Sequence, residues 1–284
     1  MISPGCNPSN RLADIMRGFT PGQMAVLSVL LALGGAMLAT SARLLIVPVT
    51  IPEINALLLP ATMLAATASF IHGWITFSLR GAIVFFALSA VCGLVAEIVG
   101  GRLPVFGATY EYAPGLGPRI FGVVPVFVPL AWFFLSFQSL AVLRPLLRSR
   151  AMPAALRAAA CASLLTAFDL LLDPLATALG LWRWDEAGAL FGVPALNSAG
   201  WFATGLCIFS LVFRLVKARP PEHHTAFARA VDILSALMTG LTTLVLIGVA
   251  MRVMRPSAYP AIMLIMTVPP WLVWMKHLLI NRRL

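Results

Sequence analysis

The sequence predicts an all-α, polytopic membrane bundle of about eight spanning helices, with an internal repeat of helical hairpins. Three observations carry this. The 284 residues are 60% hydrophobic and only 11% charged, with a mean hydropathy of +0.94, whereas a soluble domain carries about 25% charge. The apolar residues gather in runs of about 20, the length a helix needs to cross a bilayer. Two stretches in the middle of the chain share one pattern of aromatic, glycine and proline residues.

The first apolar run begins near Met24 and lacks the small-residue cleavage site of a secretory signal, so it reads as a true span. The spans are predicted at 24–46, 56–79, 81–101, 120–143, 154–179, 198–215, 229–251 and 258–277. Together they make a single integral membrane domain over 1–284, with 81–215 as the expected catalytic core. The net charge of +10 reads as loop residues that orient the chain rather than as a nucleic-acid surface. With both termini on one side, that side holds 14 of the 20 lysines and arginines; Arg43, Arg102, Arg119, Arg183, Arg252 and Arg255 fall on the other. The asymmetry predicts cytoplasmic termini in the inner membrane. The cysteines, Cys6, Cys92, Cys161 and Cys207, lie singly, with neither metal-ligand spacing nor a disulfide framework.

The loops at about 102–119 and 180–197 lie on the outer side and are rich in Gly, Pro, Trp and Tyr. The first holds "YEY" at 110–112, followed by "FGVVPVFVPLAWF" at 121–133; the second holds "WRW" at 182–184, followed by "FGVPALNSAGWF" at 191–202. Aligning Tyr110 with Trp182 also aligns Glu97 with Asp169, each 13 residues before its aromatic. Spans 3–4 and 5–6 thus read as two copies of one hairpin in the same orientation, an arrangement that places sites at the repeat interface. The aromatic pairs also suit anchoring at the membrane boundary.

Most of the ten acidic residues fall in loops; Asp232 stands near the start of span 7, and Glu97, Asp169 and Asp173 lie within spans. A central aspartate costs roughly 2.5–3.5 kcal/mol on insertion scales, and such residues normally face the bundle interior on a functional path. Asp169 and Asp173 stand at i and i+4 on one helix face. Repulsion and burial disfavour two ionised groups there, so one is expected to keep a proton and act as an acid beside a basic partner. Glu97 is expected to approach from the facing hairpin, with Arg102 and Arg119 pairing with these acids and tuning them. A structural alternative has Asp173 capping a helix break before Pro174 and Asp169 paired with an arginine. Asn197 is expected either to cap the sixth span or to help hold a water. His72, inside span 2, reads as an interhelical hydrogen bond. No metal site is expected: His223–His224 lacks further ligands, and Asp169-x3-Asp173 is only half of the diphosphate–metal motif of membrane prenyltransferases, whose second acidic motif is missing.

Three stretches, "EIVGGRLPVFGATYEYAPGLGPRIFGVVPVFVPLAWF" (97–133), "FDLLLDPLATALGLWRW" (168–184) and "FGVPALNSAGWF" (191–202), together resemble the carotenoid biosynthesis membrane proteins of the carotenoid 1′,2′-hydratase type, which include bisanhydrobacterioruberin and γ-carotene 1′-hydratases. The resemblance covers about 97–202. It implies addition of water across a terminal isoprenoid double bond of an acyclic or monocyclic carotenoid, with no cofactor. It also implies a carotenoid substrate within the bilayer and other carotenoid-pathway enzymes as partners. In that chemistry Asp169 or Asp173 donates the proton and Glu97 orients water. Tyr110, Tyr112, Trp182 and Trp184 shape a pocket for the cation. Two other classes fit intramembrane acids: a proton-coupled transporter of an apolar solute and a membrane prenyl-lipid-modifying enzyme.

Overall fold

The computed structural model describes residues 18–46, 51–147, 152–217 and 226–254. Among these, seven helices are long and apolar enough to cross a membrane: α1 (Pro21–Ile46), α2 (Ile51–Thr76), α3 (Leu79–Arg102), α4 (Phe127–Leu147), α5 (Ala154–Ala178), α6 (Ala195–Leu215) and α7 (Ala226–Val253). They match the first seven predicted spans; the eighth, 258–277, lies outside the described residues. Helices form here because lipid offers the backbone no partners, so each N–H and C=O must be satisfied within its own segment. Pro60 and Pro174 lie inside α2 and α5, each removing one such bond.

Helices α3, α4, α5 and α6 close a ring in which each packs against the next and α6 returns to α3. Helix α5 packs most extensively against α6, while α2 and α7 flank the ring and α1 lies on α7. The core is aromatic: Phe85, Phe133, Phe137 and Phe209 are fully buried and meet edge-on or tilted, geometries that suit the ring quadrupole.

Short strands stand at one end of the bundle. Strand β1 (Tyr110–Tyr112) follows α3, and β4 (Trp182–Trp184) follows α5; they pair antiparallel, with Tyr110 opposite Trp184, Glu111 opposite Arg183 and Tyr112 opposite Trp182. The two similar sequence motifs therefore pair with each other and bring the ends of α3 and α5 together. Strands β2 (Arg119–Ile120) and β3 (Val124–Pro125) form a hairpin, so the fourth span starts at Phe127 rather than near 120. The cause is a turn at Phe121-Gly122, both with positive φ (51° and 69°), closed by Val123 N–H donating to Ile120 O. Phe191-Gly192 makes the same turn (53° and 92°), closed by Val193 N–H donating to Leu190 O. A phenylalanine in the left-handed region is uncommon and costly, and it recurs at the matching position.

Candidate active site

Glu97, Asp169 and Asp173 converge at the strand-bearing end of the bundle. Each is buried, with exposures of 8%, 1% and 7%. Glu97 sits on the last turns of α3. Its carboxylate accepts hydrogen bonds from the Tyr110 hydroxyl, from the Tyr112 hydroxyl (2.5 Å) and from Trp132 Nε1 (2.8 Å). The local sequence arranges this. Strand β1 turns alternate residues to one side, so Tyr110 and Tyr112 reach Glu97 together while Glu111 is exposed. Gly93 lies one turn before Glu97 on the same helix face, where an added Cβ would stand 2.2 Å from the Trp132 ring. The glycine lets that indole lie against α3. Burial first, then the charge of Glu97, push both phenols well above their ordinary range, so they remain hydrogen-bond donors.

Asp169 and Asp173 stand one turn apart on one face of α5, both buried. Asn197, at the start of α6 and 4% exposed, donates to Asp173 Oδ2 at 2.6 Å and stands 3.5 Å from Asp169 Oδ2. Asn197 thus bridges the aspartates, and α6 has no side-chain cap. Helix α5 runs through Pro174 to Ala178, so Asp173 does not cap a break.

The arginines depart from expectation. Arg119 is exposed and donates to the carbonyls of Tyr112 and Ala113 at 2.9 and 3.0 Å; it braces the backbone of β1 and the residue after it. Arg102 is exposed at the end of α3. Among the described residues neither pairs with the three acids, whose hydrogen-bond partners are phenols, an indole and an amide.

A cavity of about 270 Å³ opens onto this cluster. Glu97, Asp173 and Asn197 reach its wall, with Tyr110, Tyr112, Trp132, Trp182, Trp184 and Trp201; the rest is mostly apolar side chains, chiefly of α2, α4 and α5, with a few threonines. Asp169 stands behind Asp173 and does not line it. Trp132 and Trp201 stack at 3.9 Å and 16°. Tyr110 packs on Trp184 with ring centroids 4.7 Å apart, and Tyr112 on Trp182 at 5.7 Å. The two stacked tryptophans are site residues that sequence reasoning did not single out; the signal was the Trp-Phe seven residues beyond the proline in each motif. Among the described residues, no group of His, Cys, Asp and Glu could hold a metal ion.

A second polar cluster lies at the opposite end. His72 Nε2 meets Asp232 Oδ1 at 2.7 Å, and Arg144 Nη2 donates to Asp232 Oδ2 at 2.6 Å and to Oδ1 at 2.8 Å. The expected interhelical bond of His72 is present, and it ties α2 to α7 while Arg144 adds α4.

Comparison with known proteins agrees with the resemblance of the motifs. A relative from Haloarcula japonica, described as bisanhydrobacterioruberin hydratase, is 34% identical over 109 residues, which are 38% of this chain and 37% of that protein. The matched segment is thus well under half of the relative's length. No solved structure matches the chain. The model of the family described as carotenoid biosynthesis protein matches residues 55–269, more than half of the chain. The chain therefore belongs to the carotenoid biosynthesis protein family.

Proposed function

We propose that the protein hydrates a terminal, 1′,2′-type isoprenoid double bond of a carotenoid by acid catalysis at the three-carboxylate site. The observation that carries this is the cavity itself: an apolar, aromatic-lined space with Asp173 and Glu97 on its wall. An unactivated alkene has no polar handle, so it needs a strong acid in a dry site and a surface that tolerates a carbocation.

Asp173, facing the cavity, gives its proton to the less substituted alkene carbon. The π pair forms the new C–H bond and leaves a tertiary cation. The faces of Trp132, Trp201 and the Tyr/Trp pairs stabilise that charge. A water oriented by Glu97 forms the C–O bond and passes its surplus proton to Glu97, from which it returns to the aspartates. The net change is one water added, with no redox step. Asp169 shares the proton of Asp173 and holds it in place with Asn197. Trp184 Nε1, buried without a partner among the described residues, is a donor available to water in the cavity.

Several wider readings accompany this one. The protein lies in the inner membrane with cytoplasmic termini, and its substrate enters from the bilayer with other carotenoid-pathway enzymes nearby. The two hairpins are copies of one unit, supported by the pairing of β1 with β4 and by the matching turns at Phe121 and Phe191. The test is expression in a lycopene- or γ-carotene-producing host with pigment analysis. A new tertiary alcohol that disappears in Glu97→Gln and Asp173→Asn, at unchanged protein levels, supports the reading. Full product from both variants overturns it.

A further inference from the structure

A second cavity, of about 110 Å³, lies deeper in the bundle. Ala65, Phe134, Leu135, Leu172, Thr242 and Leu246 line both cavities, so the two share a wall and follow one another along the bundle. On α2 the lining runs from Ile54 in the first to His72 in the second. That is a separation of 18 residues, about 27 Å at the helical rise, close to the roughly 30 Å hydrocarbon core of a bilayer. The far end has a fixed floor: His72 lines it and is held by Asp232, which Arg144 holds in turn. Several polar side chains near this floor bond to one another. Thr239 donates to Gln138 Oε1 at 2.7 Å, and Gln138 donates to Ser69 at 3.3 Å. These hydroxyls and amides are paired with one another, so an apolar chain beside them breaks none of these bonds.

We infer that the second cavity is a chain-holding subsite, which takes the distal part of an extended isoprenoid polyene whose terminal double bond lies at Asp173 and Glu97. This rests on the hydration reading. The shared wall is the throat through which the chain passes, and the His72–Asp232–Arg144 floor limits how long a chain the slot accepts.

Two measurements test it. The first compares conversion of a long and a short polyene bearing the same terminal end group, in wild type and in Ala65→Phe, which narrows the throat. The ratio of long- to short-chain conversion is expected to fall about tenfold or more, since pocket contacts of this kind discriminate by that much. An unchanged ratio overturns the subsite. Should wild type convert neither polyene, the hydration reading itself fails, and the subsite with it. The second measurement uses wild type alone and so does not depend on the variant folding. A polyene with a photoreactive group at its distal end is expected to label α7 between Val231 and Thr239. Label confined to the strand-bearing end, or to the lipid-facing surface of the bundle, overturns the subsite by showing that the chain lies elsewhere or that a bilayer lipid fills the second cavity.

Discussion

The two ends of the bundle both bury acids, and they surround them differently. At one end Asp232 meets Arg144 and His72. At the other, Glu97, Asp169 and Asp173 crowd together, and their hydrogen-bond partners carry no formal charge. An acid matched to an arginine is compensated and, with the His72 bond, ties helices together. Acids placed next to one another and facing an apolar cavity are poised to exchange a proton. The same residue type thus ties helices together at one end and lines an apolar cavity at the other.

That contrast breaks if the two ends respond alike. The largest expected effect is Asp173→Asn, which removes the proposed proton donor. Hydration should fall by about 10²–10⁴-fold, the usual worth of general acid catalysis, with membrane levels and melting temperature close to wild type. Quantifying product per unit of purified protein checks this. Next comes Asp232→Ala, which leaves Arg144 and His72 without their acid. Breaking a buried pair costs about 3–5 kcal/mol, so thermal unfolding in detergent should shift strongly downward, while whatever protein remains folded still forms product. Should Asp173→Asn destabilise as much as Asp232→Ala, the division of roles is wrong.

Smaller changes sharpen the comparison. Gly93→Ala pushes Trp132 away from Glu97 and should lower activity more than stability, read as turnover against melting temperature. Tyr112→Phe removes one donor to Glu97, worth roughly 1.5–3 kcal/mol for a hydrogen bond to a charged group, and should lower activity about tenfold or more. The least effect is at high pH. Both phenols are held above their ordinary value, about 10. The stability they contribute is therefore whole below that pH and is lost as pH rises past it. Wild type should lose stability more steeply above about pH 10 than a Tyr110→Phe/Tyr112→Phe variant, and parallel curves would contradict the assignment.

Much of this was legible in the sequence. Seven helices follow from apolar runs alone, and the convergence of Glu97 with Asp169 and Asp173 follows from aligning the two motifs. What stayed hidden is physical in origin. Helices that are apolar on every side leave little moment to say which face meets which neighbour. Arg144 therefore read as a loop charge, and its pairing with Asp232 came only with the packing of α4 on α7. Arg102 and Arg119 stand near the acids in sequence but turn outward or to backbone carbonyls, because the aromatic donors already fill the space around Glu97. The hairpin at 119–125 was hidden inside an apolar run, and a turn at Phe-Gly with positive φ carries only the glycine as its local mark.

Addition of water to an alkene at the carboxylate end leaves a traceable oxygen in the product. The most direct test is to incubate purified protein with a carotenoid bearing a terminal isoprenoid double bond in heavy-oxygen water. The account predicts a tertiary alcohol carrying the heavy oxygen from wild type and from folded Asp232→Ala, and none from Asp173→Asn. An alcohol whose oxygen does not come from water, or equal labelled product from Asp173→Asn, would contradict it.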